Sequence, residues 1–154
     1  MNYPKRKRLR LEGFDYAGAE AYFVTICTRD HRWLFGEVVG GEMRRNSAGE
    51  CVLRFWEEIP QHFPNVRTDA IMVMPNHLHG ILVFDEPRAG HARPLQVVLG
   101  GFKAAVSKQL ATAVWQRGYH EHIIRNDRDW LACVAYTDAN PAQWATSPYD
   151  YVRL

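Results

Sequence analysis

Apolar and polar residues along the chain fall into short blocks whose period changes from block to block. Residues 21–28 (AYFVTICT) are rich in β-branched and aromatic side chains and predict a strand. Residues 33–38 predict a short second strand, followed by a turn at Gly40-Gly41. The spacing then becomes helical: Cys51, Val52, Phe55, Trp56 and Ile59 share a face, with Asn46 or Ser47 as cap and Pro60 and Pro64 as the stop. Residues 68–74 and 78–84 predict two strands joined across Pro75-Asn76, a dipeptide with turn chemistry. A Pro/Gly-rich loop over 85–94 leads to a long helix, 95–114, which Gly100-Gly101 is expected to interrupt. His122-Ile123-Ile124 predict a last short strand. Asp127 can cap a final helix through Leu131, Val134 and Ala135, stopped by Asn140-Pro141.

Strands grouped as hairpins with helices between them imply an α+β fold, one mainly antiparallel sheet with helices on one face. The βαββαβ core within that order is the ferredoxin-like, split βαβ arrangement. No repeat or linker divides the chain, so residues 1–154 read as one domain.

Composition narrows the class only a little. An apolar content of 47% with 23% charged residues is that of an ordinary globular protein that needs no disulfide framework. No apolar run approaches the roughly 20 residues that cross a bilayer, and no signal-peptide core follows the basic N-terminus, which points to the cytoplasm and away from membranes. Cys27, Cys51 and Cys133 are odd in number, widely spaced and set in apolar surroundings, and they read as small buried hydrophobes. The net charge of +2 identifies no nucleic-acid binder. Its distribution says more: Lys5, Arg6, Lys7, Arg8 and Arg10 form a basic arm, and positives recur at Arg88, Arg93, Lys103, Lys108, Arg117, Arg125 and Arg128. Such an arm is either a solvated terminus or a phosphate-attracting segment without sequence preference.

The candidate chemistry centres on His77-Leu78-His79. On a strand, side chains two apart project from the same face, so the two Cα atoms lie about 7 Å apart and both imidazoles can converge on one cation. Spacing alone equally suits two structural histidines. No cysteine adjoins the pair, so a metal held there keeps open coordination positions. Imidazole with amide or carboxylate oxygen suits Mg²⁺ or Mn²⁺ acting on phosphate oxygens. No serine or cysteine stands in a nucleophile motif, which leaves water or tyrosine. Of seven tyrosines, Tyr119 and Tyr136 stand apart from the arm, the first strand and the tail. Tyr136 lies four residues before Asn140, so one helical face can carry a phenol and an amide oxygen together. A half-buried helix tyrosine and an Asn-Pro helix stop explain the same residues equally well.

The run Met74-Pro75-Asn76-His77-Leu78-His79-Gly80-Ile81 resembles the HUH signature (His, hydrophobic, His) of single-tyrosine transposases, and most closely the bacterial REP-associated tyrosine transposases. The resemblance extends to Leu34-Phe35-Gly36, to the block from Trp115 through Arg125, and to Tyr136-Thr137-Asp138-Ala139-Asn140-Pro141. It implies that His77 and His79 bind a divalent metal, Mg²⁺ or Mn²⁺, that Tyr136 is the nucleophile and that Asn140 is a further polar ligand. Glu121, His122 and Arg125 match a recurrent block, for DNA contact, for support of the ligands or for support of the fold. Thr137 departs from the aliphatic residue usual in the family, and residues 145–154 depart from its pattern. The implied activity is metal-dependent cleavage and rejoining of single-stranded DNA through a 5′-phosphotyrosine. The implied substrate is a hairpin-forming palindromic repeat, with the protein a monomer or homodimer in a bacterial cytoplasm. Trp115 or Tyr119 could stack on bases, although core packing explains Trp115 as well. The rival readings are a non-catalytic nucleic-acid-binding protein that keeps the fold and a phosphodiesterase that uses water. Replacing His77 or His79 by alanine is expected to stop cleavage and leave the fold nearly intact.

Overall fold

The computed structural model describes residues 19–85 and 94–144. Four strands build the central sheet: β1 (Ala19–Cys27), β4 (Val66–Val73), β5 (His77–Asp85) and β6 (His120–Ile124), in the order β4-β5-β1-β6. Every neighbouring pair is antiparallel. Two split crossovers, β1 to β4 around β5 and β5 to β6 around β1, make this the expected ferredoxin-like topology. The interior strand β5 is buried almost throughout, which is why its sequence reads as a nearly continuous apolar run.

Alternation along β5 feeds two cores. Leu78, Leu82 and Phe84 pack with Val24 and Ile26 of β1 and with α1 (Ser47–Glu57) and α3 (Pro94–Leu110). Ile81 and Val83, on the other face, pack with Ala21, Ile124 and residues Trp130, Cys133 and Val134 of α4 (Asp127–Ala139). The sheet is therefore covered on both faces, not on one as its sequence suggests. The apolar stripe of α4 is short, and the odd positions of β5 supply the matching surface. His77 and His79 occupy those odd positions, so the α4 side of the sheet is the side that carries the histidine pair.

Several boundaries differ from the sequence reading. Gly40 and Gly41 both have positive φ (60° and 78°) and form a two-residue turn between β2 (Gly36–Val39) and β3 (Glu42–Arg45). The partner strand β3 escapes notice because three of its four residues are charged. Asn46 is the cap of α1, its Oδ1 accepting from the Gly49 N–H at 2.9 Å. Pro60 does not stop α1: it opens a short following helix, α2 (Ile59–His62), where its missing N–H costs nothing. Gly100 and Gly101 leave α3 unbroken. Two glycines cost about 2 kcal/mol of helix propensity, whereas burying Leu95, Val98, Leu99, Phe102 and Val106 contributes several times that. The cap of α4 is Asn126, one residue earlier than expected. The basic residues Lys5, Arg6, Lys7 and Arg8, most of the 85–94 loop and the 145–154 tail lie outside the described residues.

Candidate active site

The turn that starts β5 is tied down on several sides. The Met74 N–H donates to the His77 carbonyl at 2.7 Å, the Thr28 N–H to the Asn76 carbonyl at 2.9 Å, and the Phe35 N–H to the Pro75 carbonyl at 3.1 Å. His77 and His79 follow on a backbone that is hydrogen-bonded to strands on both sides, with Cys27 opposite His77 and Thr25 opposite His79. Their ring centroids are 4.7 Å apart. Neither side chain reaches solvent in quantity (0% and 1% exposed). Truncating either to alanine would therefore open a cavity, and the expectation of a nearly intact fold does not survive.

Each Nδ1 is engaged locally, that of His77 by Asn76 Oδ1 and that of His79 by Thr25 Oγ1, both at 2.8 Å. These contacts orient the rings so that the Nε2 atoms are the ligand atoms on offer. Burial pushes the pKa of His79 down to about 4. Burial, helped by the charge of His79 and of His31, pushes that of His77 well below its ordinary value against a small opposing effect of Asn140. Both rings are thus neutral near pH 7, the protonation state that a metal needs.

From the last turn of α4, Asn140 (3% exposed) brings Oδ1 to 3.3 Å from His77 Nε2. With His77 Nδ1 donating to Asn76, Nε2 and Asn140 Oδ1 are two lone-pair atoms facing one another. That spacing is close to the separation of adjacent ligands around an ion about 2.0–2.1 Å from each. Tyr136, one turn earlier, packs edge-on against His79 with ring centroids 5.2 Å apart, yet remains 42% exposed. A phenol that is anchored by its ring and open at its other end can meet an incoming phosphate. Tyr119 instead packs against the core on the α1 and α3 side of the sheet.

Three contributors are missing from the sequence reading. Thr25 and Asn76 hold the histidines, and Trp144 stacks on His77 (centroids 6.0 Å apart, planes 24° apart) while its other side meets Trp33 at 5.5 Å. Only the strand register could have disclosed Thr25. Trp144 carried no local signal at all.

No family model matches the chain. Among solved structures, that of a REP-associated tyrosine transposase bound to a REP hairpin superposes with a TM-score of 0.64, at 18% identity, over 87% of this chain and 73% of that one. A structure from Deinococcus radiodurans named as that of a "putative transposase" gives 0.52 at 14% identity, over 87% and 92%. Two relatives come from Haemophilus influenzae. One, of uncharacterized function, is 34% identical over 90% of this chain and 89% of its own length. The other is 25% identical over 84% and 74%, and is named "Putative REP-associated tyrosine transposase". In fold, and in sequence to one named relative, the chain is similar to REP-associated tyrosine transposases.

The remaining residues singled out by that family's pattern are scattered around this centre. His122, in β6, pairs with Asp129 at 2.8 Å. The Arg125 N–H donates to Asp129 at 3.4 Å. Glu121 sits opposite Val24, with its position on the other face of the sheet from the histidine pair. Lys103 donates to the carbonyls of Gln116 and Gly118, both at 2.9 Å, so its ammonium braces the loop before β6. Trp115 packs between Phe35 and Phe102 and also lines an open cleft of about 600 Å³ with Arg29, Asp30, His31, Gln116 and Arg117. That cleft adjoins the end of β1 at which Cys27 meets His77. No helix among the described residues is long and apolar enough to cross a membrane.

Proposed function

We propose that this protein cleaves and rejoins single-stranded DNA, with Tyr136 as the nucleophile. The observations that support the reading are the buried His77–His79 ring pair, Asn140 Oδ1 at 3.3 Å from His77 Nε2, and the half-exposed phenol of Tyr136 packed against His79. A divalent cation, Mg²⁺ or Mn²⁺, held by those three side chains supplies polarisation of the scissile phosphate when bound.

The chain's own residues do the rest. Thr25 and Asn76 keep the ligand nitrogens aimed, and Trp144 shields His77 from water. Tyr136 loses its proton and its oxygen bonds to phosphorus as the bond to the 3′ oxygen breaks, leaving a 5′-phosphotyrosine and a free 3′-hydroxyl. Attack by a 3′-hydroxyl on the phosphotyrosine reverses the step and rejoins the strand without an external energy source. The relative whose structure holds a REP hairpin supports a hairpin-forming repeat as substrate. The cleft with Arg29, Arg117 and Trp115 suits a single strand passing beside the site, through backbone charge and base stacking.

The test is a labelled hairpin oligonucleotide incubated with protein and Mn²⁺, then resolved under denaturing conditions. A covalent protein–DNA adduct is expected for the wild type and for Tyr119→Phe. Tyr136→Phe should lose at least about 10³-fold of the cleavage rate. Cleavage that survives Tyr136→Phe without an adduct would favour the water-using phosphodiesterase. Hairpin binding with no cleavage at all would favour the non-catalytic reading.

A further inference from the structure

On the α4 side of the sheet, but at its β6 edge, three side chains of different chemistry meet. His122 lies in β6 opposite Phe23, and Phe23 stacks on His79 at 5.4 Å, so one residue of β1 stands between this cluster and the histidine pair. Asp129 and Cys133 are four residues apart in α4 and share a helical face. His122 Nε2 is 2.8 Å from both Asp129 carboxylate oxygens, and Cys133 Sγ is 4.0 Å from Asp129 Oδ1. One donor atom from each residue lies within 4.8 Å of the other two.

We propose that His122, Asp129 and Cys133 form a second metal site, selective for Zn²⁺ or a cation of similar softness and distinct from the site at His77, His79 and Asn140. The donor set argues for the ion. Imidazole, carboxylate and thiolate together are zinc ligands, whereas Mg²⁺ and Mn²⁺ prefer oxygen and rarely take sulfur. The geometry is within reach of rotamer adjustments. Around a tetrahedral zinc, neighbouring donors lie roughly 3.3–3.7 Å apart, so the imidazole and carboxylate part slightly while the thiol closes in by about 1 Å or less.

Exposure fits as well. The His122 side chain is 54% exposed and that of Asp129 25% exposed, which gives an ion a way in and leaves a coordination position to water. Cys133, only 8% exposed, lies beside them. Binding forms a sulfur–metal bond and releases the thiol proton to solvent. The ion would fasten α4 to β6 one turn before Tyr136.

Titration of the full chain with Co²⁺ tests this, because only a sulfur ligand produces a thiolate-to-cobalt charge-transfer band in the near ultraviolet. The wild type should develop that band with one equivalent, release about one proton per ion, and lose the band when Zn²⁺ is added. Cys133→Ser should abolish it. His122→Gln, at an exposed position on an edge strand, should weaken the apparent cobalt affinity at least tenfold. Absence of the band in wild type, its persistence in Cys133→Ser, or unchanged affinity in His122→Gln would each overturn the proposal. Should Cys133→Ser fail to fold, the His122→Gln titration decides alone.

Discussion

At the scale of single residues, the site depends on side chains that hold other side chains. Thr25 contributes one hydroxyl, 2.8 Å from His79 Nδ1, and through it fixes which nitrogen faces the proposed metal. Thr25→Val keeps the shape of the residue and removes that contact. Metal affinity, measured by calorimetric titration with Mn²⁺, should fall about 10- to 100-fold. Global stability should change by only about 1–2 kcal/mol. An unchanged affinity would mean that Thr25 merely fills space. At this scale the sequence was readable where chemistry is written locally: His77 and His79 are two apart on a strand, and Tyr136 and Asn140 are four apart on a helix. Thr25, Asn76 and Trp144 act across 54, 1 and 67 residues of chain from the histidines they touch, and only the neighbouring Asn76 could have been suspected.

At the scale of elements, the Trp56 ring of α1 packs closely against β5 beside the histidine pair. Gly80, the next residue, lies under the Trp56 ring, and a Cβ there would come within 2.4 Å of it. Trp56 has no room to retreat, being fully buried and edge-on to Phe102 at 5.5 Å. Gly80→Ala should therefore cost about 1–3 kcal/mol by overpacking, read as a lower urea midpoint at unchanged slope. A neutral result would show that α1 can shift without loss. Elements of strong period, such as β1, α1 and the β4–β5 hairpin, were legible in the sequence. The elements that differ from the sequence pattern follow tertiary context: α3 runs through two glycines because one face is buried, and β3 is a charged strand held by its partner β2. The second face of the sheet was not legible either, since nothing in the sequence of α4 states which side it covers.

For the molecule as a whole, burying two neutral imidazoles links stability to pH. His79 binds a proton at about pH 4 when folded, against roughly 6.5 when unfolded. Between those values the unfolded chain carries more protons, so stability is complete above pH 6.5 and declines as the pH falls towards 4. For His79 alone the loss approaches roughly 3 kcal/mol, and His77, shifted in the same direction, adds to it. Urea unfolding in chelator, followed from pH 7 to pH 4, should show the decline. Stability that stays level over that range would mean that the rings are hydrated or already charged.

The site also has an order in time. His77 and Asn140 are 63 residues apart, and between them come α3 and the edge strand β6, which completes the sheet only by adding to β1. A chain leaving the ribosome can pair β1, β4 and β5 and seat both histidines before the helix bearing the phenol has been made. Under the proposed function, the nucleophile is therefore made after the histidines that its metal needs. A product that ends before α4 would carry the two imidazoles and lack the proposed attacking phenol.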